Sequence, residues 1–172
     1  LAHHPAGPAD AAIRVHLIAT LADASGTAGM AGGQALDLAA EGRNLTLPEL
    51  EQVHALKTGA LIRASVIMAA LSAPGLEDTA WAALERFSAA IGLAFQVQDD
   101  ILDVEGDEAL IGKPVGSDHA RALPTYPALA GLAAARERVR QLHGEAAQAL
   151  ASCGWQDSPL AALAAWLLGR RH

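Results

Sequence analysis

The chain has 172 residues, enough for one domain with its own core. Its 19 acidic and 12 basic side chains give a formal net charge of −7, which argues against a nucleic-acid binder needing a basic face. Hydrophobic residues make up 52% and aromatics 3%, with alanine about a quarter of the total; disorder is excluded, and helix is favoured over sheet.

In chain order, Ile13, Leu17 and Leu21, with Val15 and Ile18, have the spacing of a helix running from about Ala9 to Asp23. The glycine-rich stretch from Ser25 to Gly33 leads into a segment from Gln34 to Ala40. Its glycines would weaken an isolated helix, but in a bundle they permit close backbone approach. Thr46-Leu47-Pro48-Glu49 is a helix start, with Thr46 as cap and Glu49 closing a capping box. That helix is expected to continue to Ser72, before Ala73-Pro74-Gly75. A long helix is expected from Glu77 to Val104, and a loop punctuated by Gly106 and Gly112-Lys113-Pro114 reaches Pro124. Pro127 opens a helix to Ser152, whose Arg136, Arg138 and Arg140 are read as solvated; Ser158-Pro159 starts a terminal helix ending near Gly169. The expected architecture is one all-α domain of long helices over residues 1–172.

Arg63 interrupts the apolar stretch from Ala60 to Ala73, and Leu160 to Leu168 is too short, so no membrane span is expected. Leu1 to Pro5 does not show the basic-then-apolar start of a secretory signal. The single cysteine, Cys153, excludes an internal disulfide and fits a reducing, cytoplasmic setting.

The negative charge is concentrated. Asp99, Asp100, Asp103, Glu105, Asp107 and Glu108 lie in ten residues without a Lys or Arg, leaving −1 for the rest of the chain. Such a run is ordinarily a solvated face, but this one ends a segment, Ile91 to Gln98, that reads as buried. At about 100° per residue, with Asp99 as origin, Asp103 falls near 40°, Gln96 near 60° and Asp100 near 100°. Gly92 lies near 20°, leaving room one turn earlier. Carboxylates this close repel, and a helix C-terminus disfavours anions, so a cation is the expected counterpart. Oxygen ligands of this kind suit Mg²⁺, Mn²⁺ or Ca²⁺. There are only two lysines against ten arginines. Lys57 sits mid-helix among apolar residues, and Lys113 follows Gly112 just after the acids. Each alone is an ordinary lysine; together with the acids they suggest a polyanion site in which lysine and metal cover phosphate oxygens.

The stretch Phe95-Gln96-Val97-Gln98-Asp99-Asp100-Ile101-Leu102-Asp103-Val104-Glu105-Gly106-Asp107 resembles the second aspartate-rich motif of the trans-isoprenyl diphosphate synthases. Gly32-Gly33-Gln34-Ala35-Leu36-Asp37-Leu38 resembles that family's GGQxxDL segment, Lys57-Thr58-Gly59 its lysine-threonine motif, and Thr125-Tyr126-Pro127 a further stretch. Order and spacing agree along nearly the whole chain, nearest to the bacterial farnesyl-type members. The resemblance implies an all-α isoprenoid synthase bundle, here its C-terminal part with N-terminal helices missing. It implies a Mg²⁺-dependent (or Mn²⁺-dependent) prenyltransferase, usually a homodimer, joining isopentenyl diphosphate to an allylic diphosphate. Carried over by residue, Asp99 would bind the metal most directly, with Asp100 and Asp103 supporting it. Lys57 and Lys113 would hold the allylic diphosphate, Thr58 and Gln96 would face the developing cation, and Gln34, Asp37 and Asp118 would have supporting polar roles.

Two departures stand out. The family's earlier aspartate-rich motif has no counterpart, since there is no second Asp-Asp pair, and Leu123 stands where a lysine is common. The alternatives are a non-catalytic helical subunit that binds diphosphate or a partner synthase, and, less favoured, a terpene cyclase on a similar fold.

Overall fold

The computed structural model describes residues 10–73, 75–105 and 124–169, and every regular element among them is helical. Helix α1 (Ala11–Ser25) is capped by Asp10, whose side chain accepts from the Ala12 N–H at 2.7 Å. Helix α2 (Met30–Ala39) begins earlier than the sequence reading placed it and takes in Gly32 and Gly33. Tertiary packing overrides their low helix propensity.

Helix α3 (Leu47–Ser72) starts at the expected capping box: one Glu49 carboxylate oxygen accepts from both the N–H and the hydroxyl of Thr46, each at 2.7 Å. Those bonds hold the Glu49 carboxyl below its usual range. Helix α4 (Asp78–Glu105) is the longest and most central, packing on α3 and on α6 (Leu132–Ala151). The core divides into two clusters along α4. Phe87, Ile91 and Ala94 meet Leu142, Ala146 and Leu150 in one; Val97 and Ile101 meet Leu50, Tyr126 and Val139 in the other.

The continuous helix expected from Pro127 to Ser152 is instead two. Helix α5 (Tyr126–Ala130) is capped by Thr125, which accepts from the Ala128 N–H at 3.3 Å. It stops at Gly131, whose φ of 85° lies in the left-handed region that helical residues do not occupy. Helix α7 (Pro159–Leu168) starts as expected at Ser158-Pro159.

Helix α3 is not uniformly α-helical. Ala55–Gly59 form a π turn between the α-helical segments Leu47–His54 and Ala60–Ser72. Such widened turns recur at functional sites. Two backbones press on this one. A Cβ on Gly33 of α2 would lie 2.2 Å from the Lys57 nitrogen, and a Cβ on Gly92 of α4 would lie 2.9 Å from the Gly59 Cα. With a mean hydropathy of 1.4 over its most apolar 18 residues, α3 is long and apolar enough by composition to cross a membrane. Leu50, Val53, Ala64, Ile67 and Ala70 are its apolar residues buried in the core. Its lysine and its arginine, Lys57 and Arg63, are paired with Asp37 of α2 and Glu85 of α4.

Because the atom facing Gly33 is backbone, it has no side-chain freedom with which to yield. Gly33→Ala is expected to destabilise the fold by about 1–3 kcal/mol, seen as a lower urea midpoint at unchanged m-value.

Candidate active site

The π turn sends consecutive side chains to two different helices. The Lys57 ammonium meets Asp37 Oδ2 of α2 at 2.7 Å, with the side chains 34% and 17% exposed. The Thr58 hydroxyl donates to Gln96 Oε1 of α4, also at 2.7 Å. Asp37 stands one turn after Gly33 on the same helix, so the glycine contact that brings α2 against Lys57 also delivers its counterion. Gln34, on α2, is exposed. Lys57, Thr58, Leu61, Ile62, Phe95 and Leu167 line a largely apolar cavity of about 390 Å³. A larger groove of about 630 Å³ between α4 and α6 involves none of the sequence-identified site residues.

Beyond Gln96 the three aspartates have different environments. Asp99 is partly exposed, whereas Asp100 is 4% and Asp103 1% exposed. Asp100 Oδ2 accepts from the Tyr126 N–H at 2.8 Å and lies 3.6 Å from His54 Nε2. Among the described residues, no group of three or more His, Cys, Asp or Glu is gathered as a metal cluster. The donor set still suits Mg²⁺, which commonly takes one or two carboxylates together with phosphate oxygens and water. Asp99 is the partly exposed member of the three, and Asp103 the most buried. Lys113, Asp118 and Leu123 lie outside the described residues.

Four residues around this site were not identified by sequence reasoning. His54, in the last turn before the π segment, is 5% exposed, and its Nδ1 is buried without a hydrogen-bond partner. Burial pushes its imidazole down from 6.5 to about 4, with Asp37 opposing the shift and Lys57 adding to it, so His54 is neutral near pH 7. The Tyr126 hydroxyl donates to Glu51 Oε1 at 3.2 Å, and the same oxygen accepts from Arg138 Nε at 2.9 Å. Burial first, then Glu51, raises the Tyr126 phenol above its usual value. Arg138 is therefore not the solvated residue expected from the sequence. It is 25% exposed and forked onto Glu51, whereas Arg136 and Arg140 are exposed and paired with Glu105 and Glu137. The available signal was the Thr-Tyr-Pro stretch, which marks a turn but does not reveal what its amide meets.

A polyprenyl synthetase family model matches residues 9–153. The chain belongs to the polyprenyl synthetase family. It is 51% identical over 160 residues to farnesyl diphosphate synthase of Escherichia coli, covering 91% of this chain and 54% of that protein. It is 50% identical over 136 residues to farnesyl diphosphate synthase of Geobacillus stearothermophilus, covering 79% and 45%. Among solved structures, a Helicobacter pylori geranyltransferase complexed with magnesium and isoprenyl diphosphate superposes with a TM-score of 0.78. That comparison gives 34% identity and covers 92% of this chain and 52% of that one. The chain spans about half the length of the curated relatives it matches. The all-α fold expected from the sequence is thus the fold of this family.

The unfolded chain binds a proton on His54 near pH 6.5 and the folded chain only near 4. Stability from this group is complete above the upper value and is lost as pH falls through the window, by about 3 kcal/mol at its foot. Urea midpoints measured from pH 7.5 to 4 should fall accordingly, and His54→Gln should flatten that part of the profile.

Proposed function

We propose that this chain supplies the diphosphate-ionising half of a farnesyl-type prenyl diphosphate synthase. The reaction condenses isopentenyl diphosphate with dimethylallyl or geranyl diphosphate to give farnesyl diphosphate. The observation that carries the reading is the placing of the Lys57 ammonium and the Thr58–Gln96 hydrogen bond beside an apolar cavity, with Asp99 one turn further along α4. Charged groups for a leaving diphosphate thus adjoin an apolar space for a prenyl chain, the combination that heterolysis of an allylic diphosphate requires. The family match and the farnesyl diphosphate synthases among its relatives support the same substrates.

Lys57 would exchange Asp37 for diphosphate oxygens as the allylic C–O bond breaks. The Thr58 and Gln96 oxygens would face the positive charge left on the allylic carbons. Leu61, Ile62 and Phe95 would hold the hydrocarbon tail and exclude water from the cation. The isopentenyl double bond attacks the cation, and loss of a proton completes the new alkene. Asp99 would hold Mg²⁺ (or Mn²⁺) most directly, with Asp100 and Asp103 supporting it; the ion supplies charge neutralisation of the diphosphate. Lys113 is assigned to the same diphosphate, and Gln34 and Asp118 to supporting polar contacts. A cytoplasmic homodimer is the setting we infer, from the family resemblance and the single cysteine. The half-length match keeps the second reading, a helical subunit working with a partner synthase, in view.

In a synthase that carries the other half on the same polypeptide, Mg²⁺, isopentenyl diphosphate and geranyl diphosphate should yield farnesyl diphosphate, whereas the 172-residue chain alone should not turn over robustly. Asp99→Ala or Lys57→Ala should lower turnover by roughly 10²–10³-fold, the scale for losing one electrostatic stabiliser of a transition state. Formation of product only after a second polypeptide is added would favour the subunit reading. Unchanged rate and metal dependence in Asp99→Ala would refute the ligand role.

A further inference from the structure

Asp100 of the acidic triplet is turned into the core. It is 4% exposed, and one of its oxygens is engaged by the Tyr126 amide at 2.8 Å and bordered by His54 at 3.6 Å. Mg²⁺ keeps several waters when it binds protein carboxylates, and an oxygen already committed inside the core is poorly placed to receive a hydrated ion.

The amide it holds is itself firmly fixed. Tyr126 is 6% exposed, and its hydroxyl donates to Glu51, which is gripped by the Arg138 guanidinium through Nε at 2.9 Å and a terminal nitrogen at 3.3 Å. A chain of polar contacts therefore runs from α4 through the start of α5 to α3 and α6. We propose that Asp100 is a positioning residue that pins the acidic end of α4 to the Tyr126 amide and so acts on metal and diphosphate only through the placing of Asp99. The proposal rests on the functional reading above. It answers a physical difficulty: a helix C-terminus crowded with carboxylates is opposed by its own dipole and by mutual repulsion, and tends to fray. One carboxylate turned inward onto a backbone donor fixes the rotation of the last turns and thus the direction in which Asp99 points.

The test compares Asp100→Asn, Asp100→Ala and Asp99→Asn with the parent 172-residue chain. One measurement is calorimetric binding of inorganic diphosphate with Mg²⁺; the other is hydrogen exchange of the Tyr126 amide. An asparagine oxygen can still accept from that amide, so Asp100→Asn should keep both the parent's affinity and its amide protection. Asp100→Ala should lose the protection and weaken binding by roughly tenfold, as loss of an orienting partner does. Asp99→Asn should weaken binding further while leaving the Tyr126 amide protected. Loss of affinity in Asp100→Asn as large as in Asp99→Asn would overturn the proposal, as would identical Tyr126 exchange in the parent and Asp100→Ala. Absence of Mg²⁺-dependent diphosphate binding in the parent would instead overturn the functional reading, and the amide comparison would still decide the role of Asp100.

Discussion

At Lys57 the backbones of α2 and α3 touch, because Gly33 places no Cβ between them. At the same π turn, Gly92 also lets α4 approach Gly59, though less closely. Three helices therefore meet within one turn, and each contributes a polar side chain there: Asp37 from α2, Lys57 and Thr58 from α3, Gln96 from α4. Larger residues at either glycine would separate the helices and the side chains with them. The glycines have an intrinsic cost in helical propensity, which the packing and the two polar contacts offset.

The resulting geometry holds a lysine ready without leaving it bare. Lys57 is one-third exposed and paired with a less exposed carboxylate. Such a pair restrains a flexible side chain that would otherwise sample many rotamers, and ordering it in advance lowers what a polyanion must supply on binding. In the function proposed above, an arriving diphosphate would compete with Asp37 for the ammonium and bring more negative charge to it. His54, buried three residues earlier and kept neutral, adds no competing cation.

The most local features were legible in the sequence. The Thr46–Glu49 box follows from adjacent residues, as does the start of α7 at Ser158-Pro159, and both are present. The resemblance of the Gly-Gly-Gln, Lys-Thr-Gly and Asp-Asp stretches marked the helices that meet at the site. What escaped depends on partners distant in sequence. The helical wheel places Asp100 about 100° from Asp99, but only the fold reveals that this direction points at Tyr126. The π turn at Ala55–Gly59 lies where the backbones of α2 and α4 come closest to α3, partners that its own five residues do not reveal. Arg136, Arg138 and Arg140 look alike as a cluster, yet only Arg138 faces α3.

That difference among the arginines decides what holds the far end of α4. Arg136 reaches Glu105 in the last turn, but the pair is about half and one-third exposed, and ion pairs in such surroundings are worth ~0–1 kcal/mol. Arg138 grips Glu51 with both side chains about three-quarters covered, and Glu51 in turn receives the Tyr126 hydroxyl. Tyr126 also packs into the core cluster with Leu50, Val97 and Ile101, so its amide cannot drift from Asp100 without opening apolar contacts. The polar chain and the core therefore constrain the same residue from two sides. The register between the aspartate helix and the start of α5 depends on that double constraint more than on the exposed bridge at the helix tip.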